Sequence, residues 1–221
     1  MSDIEDFYTY NNYYSNSDSE SDSDIDSDSE LIDKYKLQNT WTLYDHIKSD
    51  SDSYESNMRK ICDINNVIDF WRVFNFYPKP SLIFNNGVCK PKMGDKEISS
   101  ISMFKKGIEP KWEDPINELG GEISKRKFDR KDIFNELDQN WYTIILACIG
   151  EQIDPSITGI RIVDSSNIQK NIDGYKIMFR IELWFDEDGL KNKKDIIENS
   201  FKNLLNLDKK LIYFKEHKPR Q

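Results

Sequence analysis

The segment at residues 175–185 constrains the fold most, because two kinds of residue alternate along it without interruption. One set is apolar and consists of Tyr175, Ile177, Phe179, Ile181, Leu183 and Phe185, and the other is Lys176, Met178, Arg180, Glu182 and Trp184. Successive side chains of a β-strand point to opposite faces of its sheet. We therefore expect a strand with one face in the core and the other face available to a ligand.

Further segments show the spacing of strands and amphipathic helices. Strands are predicted at residues 37–45, 58–64, 98–104 and 210–216, and helices at 67–77, 128–151 and 188–207. Asn65 or Asn66 can cap the first helix. Residues 78–94 hold several prolines and glycines and are predicted to be a long connection. Strands with interspersed helices favour an α+β fold whose helices pack on one side of the sheet.

The first 33 residues differ in composition from the rest of the 221-residue chain. They contain eleven acidic residues and no Lys or Arg, which leaves 29 acidic and 31 basic residues in residues 34–221 although the whole chain has a net charge of −9. Alternating Ser and acidic residues can bury almost nothing. We predict a disordered acidic tail over 1–33 and one domain over 34–221, whose charge permits a nucleic-acid ligand.

Residues suited to catalysis or metal binding are scarce. His46 and His217 are the only histidines, and Cys62, Cys89 and Cys148 are widely spaced. No phosphate-binding loop or nucleophile elbow is found. We expect a non-catalytic protein without a metal or cofactor. Because the chain has no apolar run of about 20 residues and no signal peptide, we also expect a cytoplasmic location without membrane insertion.

A polar loop at residues 107–115 places Trp112 directly before Glu113. Guanine methylated at N7 is cationic, so an aromatic face that stacks on it contributes about 1–3 kcal/mol. Its N1–H and amino group form a donor edge that a carboxylate can accept with two hydrogen bonds. The loop can supply both contacts. The alternative is that Trp112 folds back on the core.

Several blocks of the sequence together resemble the eukaryotic translation initiation factor 4E family, which binds the 7-methylguanosine cap of messenger RNA. These blocks are residues 37–43, 67–71 and 107–114, Gly120-Gly121, and residues 141–151, and they keep the family's order and near-family spacing. The resemblance implies an α+β fold with a curved antiparallel β-sheet. Three main helices are expected on its convex side and the cap site on its concave side.

The resemblance also implies which residues hold the cap. Trp112 matches one stacking tryptophan, Glu113 matches the acid that reads the guanine edge, and Tyr54 stands where the family has its second stacking tryptophan. Tyr54 could instead be a loop residue without a role in binding.

Basic residues are expected near the cap phosphates or ribose. Lys176 matches a family lysine, and Lys170 is a loose candidate for the family's loop arginine. Arg180 stands in place of a third family tryptophan, and it could contact the ligand or only balance a nearby acid. Glu122 replaces a common arginine.

A partner surface is implied on the convex face by Leu37, Val67, Trp71, Tyr142, Thr143 and Leu146. Tyr142 and Thr143 replace the family's usual Leu-Glu pair, and Trp71 could instead belong to the core. The partners implied are capped messenger RNA and either a scaffold of the initiation factor 4G type or a 4E-binding repressor, with the protein itself a monomer. We expect the chain to recruit capped messenger to translation initiation. The alternatives are a cap-binding repressor and an interaction module without productive recruitment.

Overall fold

The computed structural model of the protein describes residues 34–48, 57–84, 92–93, 96–128, 131–166 and 177–217, so the predicted acidic tail lies outside the described residues. Its strands are β1 (Lys36–Lys48), β2 (Met58–Asn66), β3 (Lys92–Met93), β4 (Lys96–Lys105), β5 (Gly121–Lys125), β6 (Ile157–Asp164), β7 (Phe179–Phe185) and β8 (Ile212–Glu216). Its α-helices are α1 (Val67–Phe76), α2 (Pro80–Phe84), α3 (Ile133–Ile149) and α4 (Lys194–Leu204).

The strands form one antiparallel sheet, and the predicted fold class is confirmed. The strand order is β2-β1-β4-β6-β7-β5-β8, and β3 pairs with the first two residues of β4. The long helices α1, α3 and α4 pack on one face of this curved sheet. Within the described ranges, no helix is long and apolar enough to cross a membrane.

The apolar face of the sheet builds the core against these helices. Ile181 and Leu183 of β7 lie in one buried cluster with Phe70 of α1, Ile144 of α3 and Phe201 of α4. Removing a side chain of this size from water contributes about 1.5–3 kcal/mol to the free energy of unfolding. The alternation predicted for β7 therefore places its apolar set against the helices.

The opposite, concave face carries a row of mainly polar and aromatic residues. Pairing registers align, from β8 to β2, the residues Lys215, Glu122, Trp184, Gly159, Phe104, Thr42 and Asp63. A Cβ atom on Gly159 would lie 2.3 Å from the Phe104 ring, so only glycine lets that ring lie flat on the sheet. The concave face is thus a defined surface of side chains.

Of the two asparagines predicted to cap α1, Asn66 does so by accepting a hydrogen bond from the Asp69 backbone N–H at 2.8 Å. Several element boundaries differ from the sequence predictions. Helix α3 begins at Ile133, five residues later than expected, and a π-helical turn at Gly189–Lys193 precedes α4. Strand β7 begins at Phe179, four residues later than expected.

Three strands, β3, β5 and β6, and one α-helix, α2, were not anticipated. The five residues of β5 are all buried, so they show no alternation of the kind that marks β7. Strand β6 was also not predicted. The prediction that residues 78–94 form only a connection is wrong at α2 and at β3. In α2, Pro80 takes the first helical position, and the Asp138 carboxylate accepts hydrogen bonds from the Ser81 backbone and hydroxyl at 2.9 and 2.6 Å.

The end of α2 packs into the core, and we expect it to contribute to stability. Phe84 is fully buried and its ring centroid lies 5.7 Å from that of Phe179. We expect Phe84→Ala to lower the free energy of unfolding by about 3–5 kcal/mol. The control is Leu82→Ala in the same helix, where the side chain is 60% exposed and the change should stay within about 0.5 kcal/mol. Urea unfolding measures both, and equal losses would contradict the packing of α2 into the core.

Candidate functional site

The loop between β4 and β5 holds Trp112 and Glu113, and a network of internal hydrogen bonds shapes it. The buried Asp114 carboxylate accepts from the backbone N–H groups of Glu109 and Ile116 at 2.9 and 3.0 Å. The buried Asn117 amide donates to the carbonyls of Glu109 and Lys111 at 2.9 and 3.1 Å. These bonds give the loop a fixed shape without regular secondary structure.

His217, at the end of β8, joins this loop to the sheet. Its Nδ1 lies 2.8 Å from the Asn117 carbonyl oxygen, and because a carbonyl only accepts, Nδ1 donates this hydrogen bond. Its backbone N–H donates to the Gly120 carbonyl at 3.0 Å. A Cβ atom on Gly120 would lie 2.0 Å from the Phe185 carbonyl oxygen, so glycine is required where the loop enters β5.

The Trp112 ring stands on this support and is 40% exposed. It stacks against the His217 ring with centroids 6.1 Å apart and an interplanar angle of 27°. The Lys215 ammonium lies 3.3 Å from the centre of the indole. Trp112 therefore does not fold into the core, and the exposed Glu113 follows it at the rim of the concave face.

Glu122 is a buried carboxylate beneath the loop. Its Oε2 lies 3.5 Å from Nε2 of His217, and Lys215 is its cross-strand partner. Burial raises its pKa, but the His217 contact and the positive charges of Lys215 and Arg180 outweigh burial and leave the pKa below its usual value. Glu122 thus carries a negative charge at neutral pH. The resemblance implies that an arginine is common at this position.

Arg180 forms an ion pair with Glu182, two residues away on the same face of β7. Glu182 is buried and also accepts a hydrogen bond from the Trp184 indole N–H at 3.0 Å. Of the two roles left open for Arg180, balancing a nearby acid is therefore the one with a direct contact in the structure. The Arg180 side chain remains about one third exposed on the concave face.

A second aromatic cluster forms the floor of the concave face. It contains Tyr44, Phe104 and Trp184, with Met58 and Ile108 packed against it. The rings of Phe104 and Trp184 meet edge to face at 5.4 Å, and Trp184 also contacts His217 at 4.5 Å. Because Trp184 is fully buried, it supports the site and offers no open face to a ligand.

Three of the predicted cap residues, Tyr54, Lys170 and Lys176, lie outside the described residues. Their roles stay predictions. The structure places Trp112, Glu113 and Arg180 on the concave face and adds Lys215 and His217, which the sequence analysis did not identify as site residues. Alternation along β8 would have placed these two on one face, but nothing in the sequence indicated that this face meets the loop.

The predicted partner residues on the helices form an apolar surface on the convex side. Trp71 of α1 is 46% exposed and Leu146 of α3 is 40% exposed. Phe74 lies between the two helices, with its ring 6.1 Å from Trp71 and 4.6 Å from Tyr142. Trp71 is therefore a surface residue and not part of the core.

The remaining predicted partner residues differ in their exposure. Val67 and Trp71 are one helical turn apart on α1, and the Val67 N–H donates to the Tyr35 carbonyl at 2.9 Å, which places the start of β1 beside this helix. Leu37 packs against the core and Thr143 is partly exposed.

In the described part of the chain, no group of three His, Cys, Asp or Glu residues could hold a metal ion.

Comparison with known proteins shows where this architecture occurs. The family model for eukaryotic initiation factor 4E matches residues 36–221. Initiation factor 4E of Dictyostelium discoideum is 30% identical over 183 residues, which cover 81% of this chain and 64% of that protein. Initiation factor 4E-2 of Schizosaccharomyces pombe is 31% identical over 192 residues, which cover 83% of this chain and 67% of that protein.

A solved complex of C. elegans eIF4E-3 with the 4E-binding protein Mextli and a cap analog has the same fold. Its TM-score is 0.62 at 21% identity, and the match covers 83% of this chain and 92% of that one. The match of the family model to most of the chain and the two sequence relatives agree with the sheet and helices described above. The chain belongs to the eukaryotic initiation factor 4E family.

Proposed function

We propose that this protein binds the 7-methylguanosine cap of messenger RNA on its concave face and recruits capped messenger to translation initiation through a scaffold protein on its convex face. The observation that carries the proposal is the partly exposed Trp112 ring, which is anchored on His217 and directly precedes Glu113. A flat ring and a carboxylate at one rim are the two groups that a methylated guanine needs. The C. elegans relative, solved with a cap analog, supports this reading.

Binding would rest on stacking and on recognition of the guanine edge. Trp112 stacks on the cationic base, and the Glu113 carboxylate accepts hydrogen bonds from N1–H and the amino group. The anchored ring loses little freedom on binding, which favours affinity. No bond is made or broken, so we propose a binding protein and not an enzyme, acting in the cytoplasm.

The opposite side of the cap would be held by residues that lie outside the described residues. We propose Tyr54 as the second stacking ring and Lys176 and Lys170 as contacts to the phosphates. Arg180 can contribute a phosphate or ribose contact through the part of its guanidinium not engaged by Glu182. These basic contacts should weaken with salt, whereas stacking should depend on it less.

An amphipathic helix is the partner that the convex surface suits. Trp71 and Leu146 are exposed apolar residues on two adjacent helices, with Phe74 packed against Tyr142 between them. Such a surface can receive the apolar stripe of a partner helix. The C. elegans relative was solved with a 4E-binding protein, which supports a partner of this kind.

Cap recognition is tested by titrating the purified chain with N7-methylated GTP and with GTP. We expect the methylated ligand to bind more tightly. Trp112→Ala and Glu113→Ala should each lower the affinity for the methylated ligand by about fivefold to 150-fold, the equivalent of about 1–3 kcal/mol. Trp71→Ala is the matched control, because it removes a partly exposed tryptophan from the opposite face. Failure of the unmodified protein to bind either ligand would reject cap binding and favour an interaction module.

Partner binding is tested with the same variants and a helical peptide of the initiation factor 4G type. Trp71→Ala should lower the affinity for the peptide by about 30-fold or more, as expected for an exposed aromatic anchor. Trp112→Ala should leave this affinity unchanged. Loss of peptide binding in both variants would point to misfolding and contradict two independent surfaces.

Recruitment and repression are separated by adding the protein to a cell-free translation extract depleted of its own initiation factor 4E. Stimulation of a capped reporter that requires both Trp71 and Trp112 is the result expected for recruitment. Inhibition that requires only Trp112 would instead establish a cap-binding repressor, for which the Tyr142-Thr143 replacement is the motivating observation.

A further inference from the structure

Lys215 brings a positive charge to the ring that is proposed to stack on the cap. Its ammonium lies 3.3 Å from the centre of the Trp112 indole, a distance typical of a close cation–π contact. The lysine projects from the edge strand β8, on the face that also presents His217. A cation therefore already interacts with the π-system of Trp112 before any ligand arrives.

Glu122 provides the opposite charge at the same position of the sheet. It is the direct cross-strand partner of Lys215, and its carboxylate is buried beneath the loop that carries Trp112. Its pKa is lowered despite burial, so it stays ionised at neutral pH. The tryptophan thus stands above a pair of fixed opposite charges, with the positive charge nearer to the ring.

We propose that Lys215 and Glu122 together set how strongly the site prefers a cationic N7-methylated guanine to a neutral guanine. Lys215 reduces that preference and Glu122 increases it. This inference rests on the proposed cap-binding function and specifies the charge discrimination of that same site.

The expected size of the effect follows from Coulomb's law. A base stacked on the far face of the indole would place its charge roughly 7 Å from the ammonium, given ring contacts of about 3.5–4 Å. At that separation two unit charges change a binding constant by about threefold in a water-like medium and about fiftyfold at an effective dielectric of 20. The Lys215 ammonium could instead lie on the face of the indole where the base stacks. It must then move aside when the base binds, but its attachment to β8 keeps it near the site.

A neutral guanine does not experience this repulsion. Both test ligands carry the same triphosphate, so any contact of Lys215 with phosphate affects both of them equally. The ratio of the two dissociation constants therefore isolates the effect of charge on the base. A purely structural role of Lys215 would change both affinities by the same factor and leave the ratio unchanged.

The experiment measures dissociation constants for N7-methylated GTP and GTP by calorimetry, which avoids the change in indole fluorescence that a charge substitution causes. We expect Lys215→Met to raise the preference for the methylated ligand by about threefold or more. Lys215→Arg keeps the charge and should keep the preference of the unmodified protein. Glu122→Gln removes the opposing charge and should lower the preference.

The chain offers a matched control on the other face of the same strand. Lys194 of α4 places its ammonium 3.5 Å from the Phe214 ring centre, and Phe214 packs against the helix-side core. Lys194→Met removes the same charge from a similar contact away from Trp112. It should leave the ratio of dissociation constants unchanged.

Each outcome has a distinct meaning. An unchanged ratio in Lys215→Met, with both ligands still bound, overturns the inference and leaves the proposed function standing. Equal weakening of both ligands would likewise overturn it, because a phosphate contact or a structural role of Lys215 changes both affinities by the same factor. Absence of binding by the unmodified protein would reject the proposed function, and the inference with it. If Glu122→Gln fails to fold, the Lys215→Met and Lys215→Arg pair still decides the question.

Discussion

The division of the sheet into two chemically different faces is the constraint on which the other features depend. Residues such as Leu183 and Ile181 must be covered, and α1, α3 and α4 cover them. Because side chains alternate along each strand, burying one set necessarily presents Glu182, Trp184 and Glu122 on the concave side. A shift of one residue in register would exchange the core with the binding surface.

His217 transmits the order of the sheet to a loop that has no regular structure. It contacts the Asn117 carbonyl, the Trp112 ring, the Trp184 ring and Glu122. Trp112 is therefore held by contacts made below it and still exposes part of its ring. This arrangement keeps the loop outside the core without leaving its tryptophan unsupported, which suits a binding site that does not need to form on contact.

Much of the fold could be predicted from the sequence, and so could the residues at the rim of the site. The alternation in β7, the helical spacing in α1 and the Trp112-Glu113 pair are local patterns that reflect which side chains must be buried or presented. Strand β5 escaped prediction because neighbours cover it on both faces and its pattern carries no alternation. Helix α2 escaped because its five residues are stabilised by Asp138, which is distant in sequence.

The sequence by itself determined the class of fold, the positions of the long elements and the presence of an aromatic-acid pair in a polar loop. Only the tertiary structure decided that Lys215 lies over Trp112 and that Glu122 lies beneath the same loop. The physical reason is range. Burial patterns act between residues a few positions apart, whereas Trp112, Glu122 and Lys215 meet because β5 and β8 are adjacent in the sheet while these residues are far apart along the chain.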